Sequence, residues 1–181
     1  INKGCVLISQ HADSMGAPNA CEEKGVPNVS YNGSTVNACP ETFIISSRIN
    51  WAPYYKYIIA QTVNGEKVDT NWTGTLKNGS VELTDLGGKA MAAGTVEKLV
   101  EVRNKLMNGT LHVFDINNFT VDGKQKTSYA VAGVSENVIA DGYFHESEFR
   151  SAPYFDLLID KINLLNRVFS PDDVTDDDFN N

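Results

Sequence analysis

"CVLISQHADSMGAPNACEEKGVPNVSY", Cys5 to Tyr31, is the stretch whose reading decides the fold. It opens on a short and almost wholly apolar run, Cys5 to Ser9, as expected of a strand covered on both faces. Ser14 then stands where a helix N-cap belongs, and Gly25 where a C-terminal stop belongs. "NVSY" follows as a second short strand. Strand, helix and strand at this spacing read as a βαβ unit, which makes the fold class α/β with a parallel sheet flanked by helices.

Working outward, "TFIISSRI" (Thr42 to Ile49) is a third strand. Ligands in such sheets sit beyond the carboxyl ends of the strands. The first end carries Gln10, His11, Ala12, Asp13 and Ser14, the second "YNGS" with Asn32, and the third "SRIN" ending at Asn50. All three are polar, small or turn-forming, the composition of a pocket rim. After Asn50 the pattern changes: Trp51, Tyr54, Tyr55, Ile58 and Ile59 fall on one helical stripe, read as core. Asn50 is placed to cap that helix, Pro53 sits in its first turn where no N–H is needed, and Asn64-Gly65 ends it.

"WTGTLKNGSVELTDLGG" (Trp72 to Gly88) alternates β runs with Asn-Gly and Gly-Gly turns, as a hairpin or meander does. A second amphipathic helix spans about Thr95 to Met107, with Val96, Leu99, Val100 and Met107 on one side and Asn108-Gly109 as its stop. "LHVFD" (Leu111 to Asp115) reads as a strand, and Phe119 to Val131 as a hairpin turning at Asp122-Gly123. A last helix is expected from about Ser151 to Val168, with Phe155, Leu158, Ile159, Ile162 and Leu165 inward. Residues 169–181 form an acidic, apolar-poor tail. No linker in the sequence divides it into independent domains.

With 15 basic and 23 acidic side chains in 181 residues the net charge is −8. That balance argues against nucleic acid or an anionic membrane surface as partner, since both require a basic face. No run of about 18 apolar residues spans a bilayer, and the start Ile1-Asn2-Lys3-Gly4 reads as a chain from which a leader has been removed. Cys5, Cys21 and Cys39 allow at most one bridge and lack metal-ligand spacing, so they read as buried small hydrophobes. Six Asn-x-Ser/Thr triplets read as chance in so Asn-rich a chain. "FHESEF" around His145 lacks the His-Glu-x-x-His pattern and reads as a solvated loop, and the aspartates of the tail lack the glycine and glutamate of a calcium loop. No phosphate-binding Gly-Lys-Ser/Thr loop and no Gly-x-Ser-x-Gly elbow occurs. The sequence calls for no catalytic residue, no metal and no cofactor.

Four stretches in order, "CVLISQHADSMGAPNACEEKGV", the "YNGS" turn, "SSRINWAPYY" and "WTGTLKNGSVEL", resemble the basic membrane protein family of substrate-binding lipoproteins, in its purine-nucleoside receptor branch. The likeness runs from about Gly4 to about Val113, and "DGYFHESEFRSAPYFDLLID" resembles the C-terminal extension of clostridial members. The resemblance implies a type I periplasmic-binding-protein fold, two α/β lobes joined by a hinge and closing on ligand, of which this chain matches the C-terminal half. Residues 1–50 would then be a second-lobe βαβ portion ending in a hinge crossing, and residues 51–168 the remaining elements. It further implies an extracytoplasmic receptor held by an N-terminal lipid anchor absent from this chain, passing a nucleoside-like small molecule to an ABC importer permease. Carried over by position, Gln10, His11, Ala12, Asp13 and Ser14 would face the cleft. Asn32 stands where the family has a ribose-binding carboxylate, and Asn50 about where it has a lysine. Those two departures make a ligand other than a nucleoside, or weaker affinity, a live expectation. The alternative is an extracellular sensor or interaction domain of the same fold without a transport role.

Overall fold

The computed structural model describes residues 1–89, 91–131, 133–146, 148–149 and 157–162. It divides into two compact units, Ile1–His112 and Val113–Asn181. In the first, β1 (Ile8–Ser9), α1 (Gly16–Lys24), β2 (Asn28–Tyr31), β3 (Phe43–Ile49), α2 (Ala52–Val63), β4 (Val81–Leu83) and α3 (Thr95–Asn108) follow in that order. The sheet runs β1-β2-β3-β4, parallel between the first three strands and antiparallel between β3 and β4. The first unit is thus an α/β fold with a mixed, mostly parallel sheet and helices.

The expected βαβ unit is present, and its punctuation is local chemistry. The Ser14 hydroxyl accepts the Gly16 N–H at 3.4 Å at the start of α1. At the other end Gly25 is left-handed (φ 65°), and the Val26 N–H reaches back to the Cys21 carbonyl at 2.9 Å, a Schellman-type closure. Gly109 (φ 73°) ends α3 in the same way, with the Thr110 N–H on the Lys105 carbonyl.

The inward face of β2 is polar. Buried Asn28 donates through Nδ2 to Thr42 Oγ1 at 3.0 Å, and the buried Ser30 and Thr35 hydroxyls meet at 2.7 Å. Thr42 in turn donates to the Glu22 carboxylate at 2.9 Å, which also accepts the Thr42 N–H, so α1 is tied to the start of β3. Such a layer is stable because its members satisfy one another. Cys21, Cys39, Phe43 and Ile45 supply the apolar part of this core.

Several expectations are corrected. Val6 and Leu7 precede the ladder, which pairs only Ile8 and Ser9 with β2, and Val6 is 81% exposed. Cys5 is exposed as well, whereas Cys21 and Cys39 are buried, all three as free thiols. No residue of α2 is buried, and Trp51, Tyr55 and Ile59 are exposed. They are not core because the aromatic side chains pack on one another and on Trp72, with Tyr54 and Trp72 centroids 5.3 Å apart. On α3, Leu99 and Met107 are half-buried and Val96 and Val100 exposed. Trp72 to Gly88 is not a self-contained hairpin: Asn78 folds residues 73–80 into a turn through its side chain, and β4 then pairs with β3.

The second unit, described by itself, holds a hairpin of β5 (Ile139–Ala140) and β6 (Tyr143–Phe144). Its two-residue turn, Asp141-Gly142, takes positive φ at both positions (51° and 86°), as an Asp-Gly hairpin requires. Val131, Val138, Ile139 and Phe144 form its core. The expected turn at Asp122-Gly123 is present, with Val121 and Lys124 bridged across it. Leu111 to Asp115 forms no strand; only Asp115 is bridged, to Tyr143. Residues 157–162 are not helical, Lys161 has φ 66°, and Leu158 and Ile162 are exposed. The rest of the helix expected over 151–168, and the 169–181 tail, lie outside the described residues.

Candidate ligand-binding site

The first two strand tips converge. The Gln10 N–H extends the β1 ladder by donating to the Val29 carbonyl at 3.1 Å, and its side-chain Oε1 then accepts the Ala12 N–H at 2.9 Å. The His11 ring lies flat on Tyr31, with centroids 3.8 Å apart and planes 22° off parallel, joining the tips of β1 and β2. Asn32 follows with φ 61°, a left-handed backbone that asparagine tolerates better than most side chains. The Gly33 N–H points to the Ser46 hydroxyl on β3 at 3.4 Å.

Two cavities adjoin at this turn. The smaller, about 170 Å³, is walled by Gln10, Ala12, Asp13, Ser14 and Tyr31. The larger, about 530 Å³, has apolar walls from Phe43, Ile49, Leu83 and Leu86, and polar ones from Arg48, Thr84 and Asp85. Asn32, Gly33 and Ser34 line both. The larger volume falls within the range of about 300–1,000 Å³ that suits a drug-sized ligand, and the smaller holds only part of one.

Of the residues singled out in the sequence, Gln10, Ala12, Asp13, Ser14 and Asn32 are brought together here, and His11 joins them through its stack on Tyr31. Asn50 lines neither cavity. Its carboxamide is engaged at both ends: Oδ1 accepts the Ala52 N–H at 3.1 Å just ahead of α2, whose N-cap is Trp51 rather than the expected Asn50, and Nδ2 donates to Glu82 at 2.8 Å. Its backbone N–H and carbonyl both pair with Ser80. Arg48 donates to the same Glu82 carboxylate through Nε at 2.8 Å and Nη2 at 2.6 Å.

Hydrogen bonds from Arg48 and then Asn50 hold the Glu82 carboxyl below its ordinary value. A carboxyl lowered on folding contributes stability above its unfolded value, and that contribution is lost as pH falls through the folded value. Replacing Arg48 by Met is therefore expected to move the Glu82 titration midpoint upward, read by carbon-detected NMR. A midpoint unmoved by the substitution would show that Arg48 does not set it.

Arg48 lies within the third strand end already singled out as rim, whereas sequence reading missed Thr84 and Asp85 as lining groups. The available signal was Thr84-Asp85 directly after the "VEL" run, polar residues leaving a strand. His145 is also corrected. It is buried rather than solvated, with Nδ1 against Glu148, Nε2 3.2 Å from the Ala140 carbonyl and its ring stacked on Tyr143. Among the described residues no group of three His, Cys, Asp or Glu side chains gathers as metal ligands, and no helix is long and apolar enough to cross a membrane.

Adjoining cavities at the tips of parallel strands in a mixed, mostly parallel sheet define the class as far as geometry carries it. No family model matches the chain. No curated protein matches it either. Among solved structures it is similar to an ABC transporter system solute-binding protein from Conexibacter woesei, at 19% identity and TM-score 0.49, over 62% of this chain and 38% of that one. The chain thus spans well under half the length of that protein.

Proposed function

We propose that this chain forms one wall of the binding cleft of an extracytoplasmic solute-binding protein serving an ABC importer, with a purine nucleoside or a similar small molecule as ligand. The observation that carries the reading is the junction of two cavities at Asn32-Gly33-Ser34, edged by the polar tips of β1 and β2. The family likeness of the sequence adds the type I periplasmic-binding-protein architecture, the hinge crossing near Asn50 and an N-terminal lipid anchor outside the cell.

The physical mechanism is differential binding. Asp13, Asn32 and the Gln10 Nε2 amide are satisfied by a ligand carrying matching donors and acceptors, and are left unpaired by a wrong one. Each unpaired group costs roughly 1–3 kcal/mol, so a few suffice for strong selection. Asn50 acts at one remove, by fixing Glu82 and through it Arg48. Closure on the ligand then shifts the population toward the form that a permease recognises.

Thermal unfolding of the intact gene product against a nucleoside panel tests the proposal. A ligand present at about 100 times its Kd is expected to stabilise the folded state by about 2.7 kcal/mol. No stabilisation by any nucleoside defeats the nucleoside reading.

A further inference from the structure

Resting on that reading, the charges around the two cavities specify the ligand further. Among the described residues Arg48 is the only cation lining either one, and its guanidinium is already committed to Glu82 through two nitrogens. The carboxylate of Asp85, which lines the larger cavity as Asn32 does, has no hydrogen-bond or ion-pair partner among the described residues. In the smaller cavity the Asp13 carboxylate likewise has none. The Asn32 carboxamide, at the junction, is free of partners within the same set. The site therefore offers uncompensated negative charge, acceptor oxygens and the carboxamides of Asn32 and Gln10, beside an apolar wall.

We infer that Asp85 is a specificity-determining residue: it accepts hydroxyl or N–H donors of an uncharged ligand and turns away anionic ones, so that the site takes a nucleoside and rejects its phosphorylated form. An ionised acceptor makes the stronger class of hydrogen bond to a neutral donor. A phosphate brought to the same place meets like charge, and among the described lining residues no uncommitted cation offsets it. Asp13 extends the same field into the smaller cavity, so a phosphate gains nothing by reversing the ligand between the two. A chain of net charge −8 adds a weaker repulsion of the same sign at long range.

The test is calorimetric titration of the intact gene product with adenosine and with adenosine 5′-monophosphate, at low and high salt. The wild type is expected to prefer adenosine by tenfold or more, with the gap narrowing in high salt, as screening requires. In Asp85→Asn, adenosine affinity is expected to fall about tenfold while monophosphate affinity holds or rises. Asp85→Lys, at an exposed position that tolerates exchange, is expected to bind the monophosphate better than the wild type does. Adenosine binding with the same selectivity in all three proteins overturns the role of Asp85 and leaves the receptor reading standing. Failure of the wild type to bind any nucleoside sinks the parent reading, and this inference with it.

Discussion

Gly87→Ala is expected to destabilise the first unit by about 3 kcal/mol or more, the upper end of what overpacking costs. A Cβ built at Gly87 would lie 1.7 Å from the Phe43 carbonyl oxygen and 2.7 Å from its carbon. Those are backbone atoms of β3, so no side-chain rotation relieves the clash. The Gly87 N–H also donates to the Ile44 carbonyl at 2.7 Å, and the Thr84 N–H to the Ser46 carbonyl at 2.9 Å. Moving the segment away gives up those bonds; moving β3 displaces buried Phe43 and Ile45. Gly88→Ala is the matched control, since a Cβ there meets nothing within 4 Å, and it should change stability by no more than about 0.5 kcal/mol. Urea denaturation at unchanged m-value reads the difference as a shift of midpoint. Equal midpoints for the two variants would mean that the close approach of Gly87 to Phe43 is absent in solution. Because Leu83 to Leu86 wall the larger cavity, Gly87→Ala should also weaken ligand binding.

The same glycine shows where sequence reading stops. "LGGK" reads as a turn signal, and nothing in the residues says that one glycine of the pair passes against a strand laid down forty positions earlier. Gly25 and Gly109 were legible because caps act within a few residues, whereas the N-cap expected at Ser14 falls one residue later, at Met15. The stop of α2 and the start of β3 were legible for the same reason. Burial was harder. The run Cys5 to Ser9 looks like a central strand, but hydrophobicity alone does not say how many residues the neighbouring strand will pair. Only two do, and Val6 is left outside. The polar face of β2 was illegible for the opposite reason: Asn28 and Ser30 are buried by virtue of Thr42 and Thr35, partners set by the sheet and the loop before β3.

For the candidate site the division is similar. Gln10 to Ser14 and Asn32 could be named because parallel strands point their carboxyl ends to one edge, a rule of topology rather than of particular side chains. Asn50 followed from the same rule, and here local chemistry overrode it: its carboxamide accepts the Ala52 N–H and holds Glu82, and it lines neither cavity. Arg48 and Asp85 come to the site through the antiparallel pairing of β4 with β3, in which Arg48 lies opposite Glu82. That pairing replaces the self-contained hairpin expected of the sequence, and with it the whole charge pattern of the larger cavity changes from unknown to specified.

In the second unit the largest effect is expected at Phe144. Its side chain is fully buried, with Phe114 edge-on at 6.3 Å and Tyr129 at 6.2 Å between centroids, and Val138 and Ile139 in the same cluster. Truncation to alanine removes these ring contacts and leaves a cavity that two short strands cannot collapse around, a cost of about 3–5 kcal/mol. The backbone around it depends on the same packing: the Phe144 N–H donates to the Phe114 carbonyl at 3.0 Å, and the His145 N–H to the Val138 carbonyl at 2.9 Å. Hydrogen exchange followed by mass spectrometry should therefore show Phe144→Ala losing protection across residues 138–146, well beyond the substituted side chain. Phe144→Leu, which keeps most of the apolar volume, should retain most of it, and Val113→Ala, at an exposed position, should change nothing. A Phe144→Ala protein as protected as the Val113→Ala control would mean that the hairpin is held by its Asp141-Gly142 turn and ladder bonds alone. Two-residue strands make that outcome physically remote, because an isolated hairpin is marginal in water even when longer.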